Sequence, residues 1–184
     1  MRKWTQYQEF SKLWTGIQKE VANRRSALWT PTVGTIGASF PKQRTMVLRE
    51  LTPYSLVFFT DKRSDKCREI LEHPSVSVHS YNPKAKTQIQ FYGTAHVTTD
   101  HPKFEQWRSK GLRRDQDYTT TKQPGAVCVD YTSVEYNPAL ATDNFTLIII
   151  DVKEIQLLRL GDPHERCQWT RAQNDDWYKE WLIP

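Results

Sequence analysis

At 184 residues, with 26 Lys and Arg against 21 Asp and Glu, the chain has the length of one domain and a formal net charge of +5. Aromatics are 12% of it and include seven Trp, too much apolar bulk for a disordered protein. The charge favours anionic partners (phosphate ligands, nucleic acid or membrane surface) without choosing among them.

Cys67, Cys128 and Cys167 are odd in number and form no CxxC pair, which argues against a disulfide framework and a zinc site. Reduced cysteines fit a cytoplasmic location. The N-terminus has no apolar stretch of the signal-peptide kind. The longest apolar run, Phe145 to Ile150 with Thr146 inside it, is too short to span a bilayer, so no membrane partner is expected.

In chain order, an N-terminal helix is expected over about 5–25. Phe10, Leu13, Trp14, Ile17 and Val21 recur three and four apart between Tyr7 and Arg24. Strands are expected at Thr32–Phe40, Arg44–Leu51 and Ser55–Thr60, with Thr52-Pro53-Tyr54 as a turn. Ser64–Glu72 reads as a short helix with Cys67, Ile70 and Leu71 facing inward. Strands follow at Ser75–Tyr81 and Thr87–Thr98, making a meander of about five with one helix inserted. His101–Lys110 reads as helix and Gly111–Pro124 as a mobile polar loop. Strands are expected at Ala126–Tyr131, Phe145–Val152, Gln168–Arg171 and Trp177–Leu182. The fold class is mainly β (α+β), one antiparallel barrel over about 32–184 with peripheral helices.

The stretch from Arg44 to Gly93 carries the chemistry. Arg63 precedes the helix that begins near Ser64, and Lys66 lies in its first turn. A helix N-terminus has free N–H groups and a partial positive charge, so it attracts phosphate. First-turn cations oppose the helix dipole and call for a reason. Arg44 and Arg49 are five apart, so a regular strand puts them on opposite faces unless a bulge or strand end intervenes. Gln88 opens a long strand, and its amide can donate to and accept from a heterocycle edge. His164-Glu165-Arg166 is read in a turn, with a titratable ring and an anion-clamping guanidinium. His73, His79, His96 and His101 lack ligand-like spacing, so no metal is expected. GxSxG, HExxH, Walker and GxGxxG patterns are absent.

Together these pieces resemble the pyridoxamine 5'-phosphate oxidase family, the FMN-binding split barrels. Arg44 through Arg49 is similar to the family's Arg-x-x-x-Leu-Lys/Arg strand, and Phe59-Thr60 to its aromatic-Thr pair. Ser64 and Lys66 are similar to its Ser-Arg-Lys step, and Gln88 to the Gln that begins the strand ending in Gly93. His164-Glu165-Arg166 and Trp177 with Leu182-Ile183-Pro184 are similar to its closing motifs.

The resemblance implies FMN at a homodimer interface, its phosphate near Arg44, Ser64 and Lys66. Thr45, Met46, Val47, Leu48, Arg49, Phe59 and Thr60 would line the ring and ribityl chain. Gln88 would meet the ring edge, and Arg166 would arrive from the second subunit. His164 would meet a small-molecule substrate. It also implies hydride transfer from a substrate carbon to flavin N5, with oxygen as acceptor.

Asp65 stands where the family usually has an Arg, and the family's Tyr, Arg and Ser substrate clamp has no match between His101 and Pro124. The Trp expected near Leu158 and an Arg just before His164 are also missing. A flavoprotein other than a true pyridoxamine phosphate oxidase fits these departures. The alternatives are a split barrel that sequesters flavin or haem without turnover, and a single-strand nucleic-acid binder using Tyr81, Phe91 and Tyr92. Nucleic acid ranks last, because the cations cluster near a helix start and do not run beside those aromatics.

Overall fold

The computed structural model describes residues 2–52, 54–112 and 116–184, with backbone alone for 2–8. Helix α1 (Arg2–Ala22) buries Phe10, Trp14, Ile17 and Val21 along one stripe, as its spacing predicts. Phe10 stacks on Trp177 at 4.3 Å and meets Trp169 edge-on at 5.6 Å. Each such side chain contributes about 1.5–3 kcal/mol on burial, enough to hold the helix to the sheet.

The strands are β1 (Thr32–Ile36), β2 (Pro41–Thr45), β3 (Leu48–Thr52), β4 (Ser55–Asp61), β5 (Ser75–Asn82) and β6 (Thr87–Thr98). After them come β7 (Phe145–Arg159), β8 (Glu165–Arg171) and β9 (Trp177–Leu182). Helix α2 (Asp65–Glu72) links β4 to β5, and α3 (Phe104–Gly111) follows β6. All named pairings are antiparallel, in the order β2-β1-β5-β6-β7-β4-β3, with β8 on β7 and β9 on β8.

The 15-residue β7 organises this sheet. One edge pairs with β6 throughout. The other pairs with β4 over Phe145–Asp151 and with β8 over Glu154–Arg159. That fork is the split of an antiparallel split barrel. The ladder between β6 and β7 slips at Tyr92/Gly93. Here the backbones approach so closely that a Cβ on Gly93 would lie 2.2 Å from the Asp151 carbonyl oxygen.

Several elements differ from expectation. The strand expected over Thr32–Phe40 stops at Ile36, because the Gly37 N–H closes a turn onto the Phe40 carbonyl at 3.1 Å. Arg44–Leu51 is two strands. Met46 donates its N–H to the Pro31 carbonyl at 3.0 Å, and the chain crosses at Met46 and Val47 from one end of the strand order to the other. The simple meander is thereby replaced by a nearly closed sheet.

Ala126–Tyr131 is not a strand. Val129 is 94% exposed, no neighbouring strand pairs with the segment among the described residues, and a short 3-10 turn starts at Tyr131. Leu71 is 73% exposed, because the buried face of α2 is Cys67, Glu69 and Ile70. Glu165 and Arg166 belong to β8, which leaves only His164 of that triplet before the strand. Pro53 of the expected turn and 113–115 of the expected loop lie outside the described residues. No described helix is long and apolar enough to cross a membrane.

Candidate functional site

The break between β2 and β3 resolves the five-residue spacing of Arg44 and Arg49. It lets both side chains line one cavity of about 440 Å³, together with Thr45, Met46 and Val47. Strand β4 adds Phe59, Thr60 and Asp61, and the first turn of α2 adds Lys66. The volume is within the range of small-molecule sites.

Lys66 is the distinctive group. Its ammonium donates to Thr60 Oγ1 at 3.1 Å, and it makes no ion pair within 4.0 Å among the described residues. Burial pushes it below the ordinary lysine value and the charge of Arg44 adds to that, outweighing the more distant carboxylates of Asp61 and Glu69. Arg49 lies over the Phe59 ring at 5.4 Å from its centroid, and it too lacks an ion pair among the described residues. Two cations, a hydroxyl and an aromatic face therefore meet in one space.

Arg44 and Asp61, which line the cavity, and Glu69 and Asp65 behind them are already engaged, whereas Asp117 lines it without an ion pair among the described residues. Arg44, with its side chain 21% exposed, donates to Glu69 Oε2 at 2.8 Å and to Thr35 Oγ1 at 2.5 Å. Glu69, only 6% exposed at its side chain, is also 3.0 Å from Lys42. Burial pushes the Glu69 carboxyl up, but the hydrogen bonds from Thr35 and Arg44 and the ion pair with Lys42 outweigh that and hold it below the usual carboxylate range. Asp61 is locked to Arg63 through two oxygens, at 3.0 and 2.7 Å. Asp65 pairs with Arg68 at 2.7 Å and with Lys42 at 3.5 Å.

Not every expected residue faces this cavity. The Ser64 hydroxyl donates to the Asp61 carbonyl at 2.7 Å and is buried in its own turn. Leu48 is fully buried in the core, so its side chain cannot reach a ligand. Gln88 and Arg166 lie instead on one outer face of the sheet. Leu158 pairs with both, and paired residues share a face. There Gln88 donates to Gln90 at 2.9 Å and Arg166 to Gln156 at 2.9 Å. His164 is exposed, its Nδ1 2.5 Å from the Gly161 carbonyl.

The cavity's second wall was missed in the sequence. Gln116, Asp117, Tyr118, Thr120 and Pro124 line it. Asn144 donates to the Tyr118 carbonyl at 2.8 Å, the Asn137 N–H to the Thr119 carbonyl at 2.7 Å, and Arg63 reaches Thr120 and Thr121. Burial pushes the Tyr118 phenol up to about 12. Only the polar composition of this loop was visible beforehand, and its anchors are distant in sequence.

A flavin mononucleotide suits this donor set: an unpaired half-buried ammonium and a helix start for phosphate, and an aromatic wall for a planar ring. Residues 7–99 match the family model described as pyridoxamine 5'-phosphate oxidase, FMN-binding domain. A pyridoxine/pyridoxamine 5'-phosphate oxidase 2 of Hydrogenovibrio crunogenus is 29% identical over 87 residues, 47% of this chain and 40% of that protein. The chain thus aligns with less than half the length of that relative. The alignment with the pyridoxine/pyridoxamine 5'-phosphate oxidase of Wolbachia pipientis wMel is 22% identical and spans 95% of this chain and 86% of that one. A pyridoxamine 5'-phosphate oxidase-related, FMN-binding protein of Nostoc punctiforme PCC 73102 shares the fold at a TM-score of 0.71 and 21% identity, covering 94% of this chain and 96% of that one. With half of its length matched by the family model and its split barrel shared with solved relatives, the chain belongs to the pyridoxamine 5'-phosphate oxidase FMN-binding family.

Proposed function

We propose that the protein is an FMN-dependent oxidoreductase whose cofactor occupies the cavity bounded by β2, β3, β4, α2 and the 116–124 loop. One observation carries this reading: Lys66, a half-buried ammonium without a carboxylate in contact, lines a cavity of flavin-binding size. An ammonium so placed is stabilised by an anion, and phosphate at the start of α2 supplies one. Arg49 over Phe59 and the Thr60 hydroxyl flank the remaining space. Bound flavin would supply the capacity to accept a hydride equivalent. The chain's own share is to bind, orient and exclude water.

Two copies complete the site in this reading. Gln88 and Arg166 sit outside the cavity lining on a sheet face of the same chain. A second copy docked on that face brings both to the first copy's flavin, and a homodimer does so twice by symmetry.

A non-catalytic flavin-holding role is the second reading. Tyr118 stays protonated near neutrality, and Asp61 is held in its pair with Arg63. Neither is poised for proton transfer. Absorption spectra of purified protein and titration with FMN and riboflavin test the first proposal. The expected result is FMN bound with a clear preference over riboflavin, and absence of flavin uptake overturns it. Turnover of the bound flavin with pyridoxamine 5'-phosphate, NADH or NADPH favours the oxidoreductase, and bound but inert flavin favours the holding role.

A further inference from the structure

Gln88, Gln90, Gln156, Leu158, Arg166 and Gln168 make one patch on the outer sheet face. Leu158 opposes Gln88 on β6 and Arg166 on β8, and Gln156 opposes Gln90 and Gln168 in the same two ladders. The hydrogen bonds around Arg166 converge on Gln156. Its Nε2 donates to Glu154 Oε1 at 2.8 Å and to Gln168 Oε1 at 3.0 Å, and its Oε1 accepts from Arg166 Nη2 at 2.9 Å. Gln168 donates onward to Thr170 Oγ1 at 3.1 Å.

Chemistry fixes the direction of this network. A carboxylate accepts and a guanidinium donates, so the amide nitrogen of Gln156 must face Glu154 and its carbonyl must face Arg166. Flipping the amide would set oxygen against oxygen on one side and N–H against N–H on the other. Arg166 is thus held by a neutral acceptor. It makes no ion pair within 4.0 Å among the described residues, and the Glu154 carboxylate is engaged by the amide and not by the guanidinium. The guanidinium is anchored without being neutralised. Its contact with Gln156 is the one hydrogen bond the side chain makes among the described residues, so most of its N–H fork is left for a further acceptor.

We infer that Gln156 is a positioning residue for Arg166: it fixes the guanidinium, charge intact, in the orientation from which it reaches an acceptor atom of a second copy's flavin. This assignment rests on the two-copy reading above. Without Gln156 the long side chain is ordered only on binding, which costs about two- to tenfold in affinity for one side chain.

The experiment is a double-mutant cycle read by FMN fluorescence titration of the full chain, with the dimer's mass followed by sedimentation. Gln156→Met keeps the length of the side chain and removes the carbonyl acceptor. Arg166→Ala should weaken FMN binding about ten- to hundredfold, the range of one charge-assisted hydrogen bond. Gln156→Met should weaken it about two- to tenfold in the wild-type background and not at all in Arg166→Ala, because a residue that acts only through another has no effect once that other is gone. Gln156→Leu should give the same pattern and keeps the test decisive should Gln156→Met misfold. If Arg166→Ala weakens binding and folded Gln156→Met titrates like wild type, the positioning role is overturned and the two-copy reading stands. An equal loss from Gln156→Met in both backgrounds, or loss of the dimer in that variant, also overturns the positioning role, since Gln156 then acts by itself or through assembly. If folded Arg166→Ala titrates like wild type, both the positioning role and the two-copy reading fall.

Discussion

Replacing Lys66 by Met separates phosphate recognition from the rest of flavin binding. Lys66 donates to Thr60 and has no carboxylate in contact among the described residues, so a phosphate is its natural counter-charge. A charge-assisted hydrogen bond of this kind is worth about 1.5–3 kcal/mol, or roughly ten- to hundredfold in affinity. Riboflavin lacks the phosphate. The variant should therefore lose that factor for FMN, keep its riboflavin affinity, and show the FMN-to-riboflavin preference fall by the same amount in fluorescence titrations. The fold should hold, because Met removes a half-buried charge and keeps the apolar stem. The pH dependence has a definite sign. Burial sets the free Lys66 below the ordinary value of 10.5, and a bound phosphate favours its charged form. Binding then takes up a proton above the free-state value, so FMN preference declines as pH rises through that value. Lys66→Met should flatten this decline. An FMN titration in folded Lys66→Met that overlays the wild type, at neutral and alkaline pH, refutes the phosphate assignment.

Other outcomes follow from neighbouring contacts. Asp65→Arg removes an acid held by Arg68 and Lys42 and adds a cation to the first turn of α2; FMN should bind about two- to fivefold tighter, and weaker binding in titration would give Asp65 a role of its own. Glu69 is depressed in the folded chain, so its contribution is present above the unfolded carboxylate value and lost as pH falls through the folded one. Glu69→Gln should lower stability to urea by about 1–3 kcal/mol at neutral pH, and the gap to wild type should close in acid; a pH-independent gap contradicts this. Gly93→Ala puts a methyl group into the Asp151 carbonyl and should lower stability by about 1–3 kcal/mol in urea unfolding, with an unchanged midpoint as the contrary result. If Arg166 acts across a dimer, refolding Lys66→Met together with Arg166→Ala should restore roughly a quarter of the high-affinity FMN sites, through heterodimers with one intact site; no recovery places Arg166 elsewhere.

The parts of the fold that were legible carry their signal locally. Phe10, Trp14, Ile17 and Val21 fall on one helical stripe, and all four are buried. Thr87–Thr98 alternates apolar and polar residues, and its predicted limits are those of β6. Ala126–Tyr131 has similar apolar content and is no strand. Pairing needs a neighbour, and local composition does not say whether the topology supplies one. Leu71 shows the same limit at one residue. Inward and outward differ by a single helical step, and Glu69 takes the buried place because Arg44, Lys42 and Thr35 wait there.

The candidate site was legible as a set of residue types that line one cavity, and illegible by partnership. Arg44, Arg49, Phe59, Thr60 and Lys66 meet at one cavity because the chain leaves the β2 ladder at Met46, a step that alternation along Arg44–Leu51 conceals. What separates the cations is their company. Arg44 is nearest in kind to a phosphate clamp, yet it already serves Glu69 and Thr35, so a phosphate must share or displace a carboxylate 2.8 Å away. Lys66 needs no such exchange. An ammonium whose direct contact is a hydroxyl, with Asp61 and Glu69 acting only from beyond ion-pair distance, gains a charge partner in contact on binding, whereas Arg44 largely trades one partner for another. The phosphate energy should therefore concentrate on Lys66. Arg44 sets the shape of the wall, through contacts with residues 9 and 25 positions away in the chain that no short motif encodes.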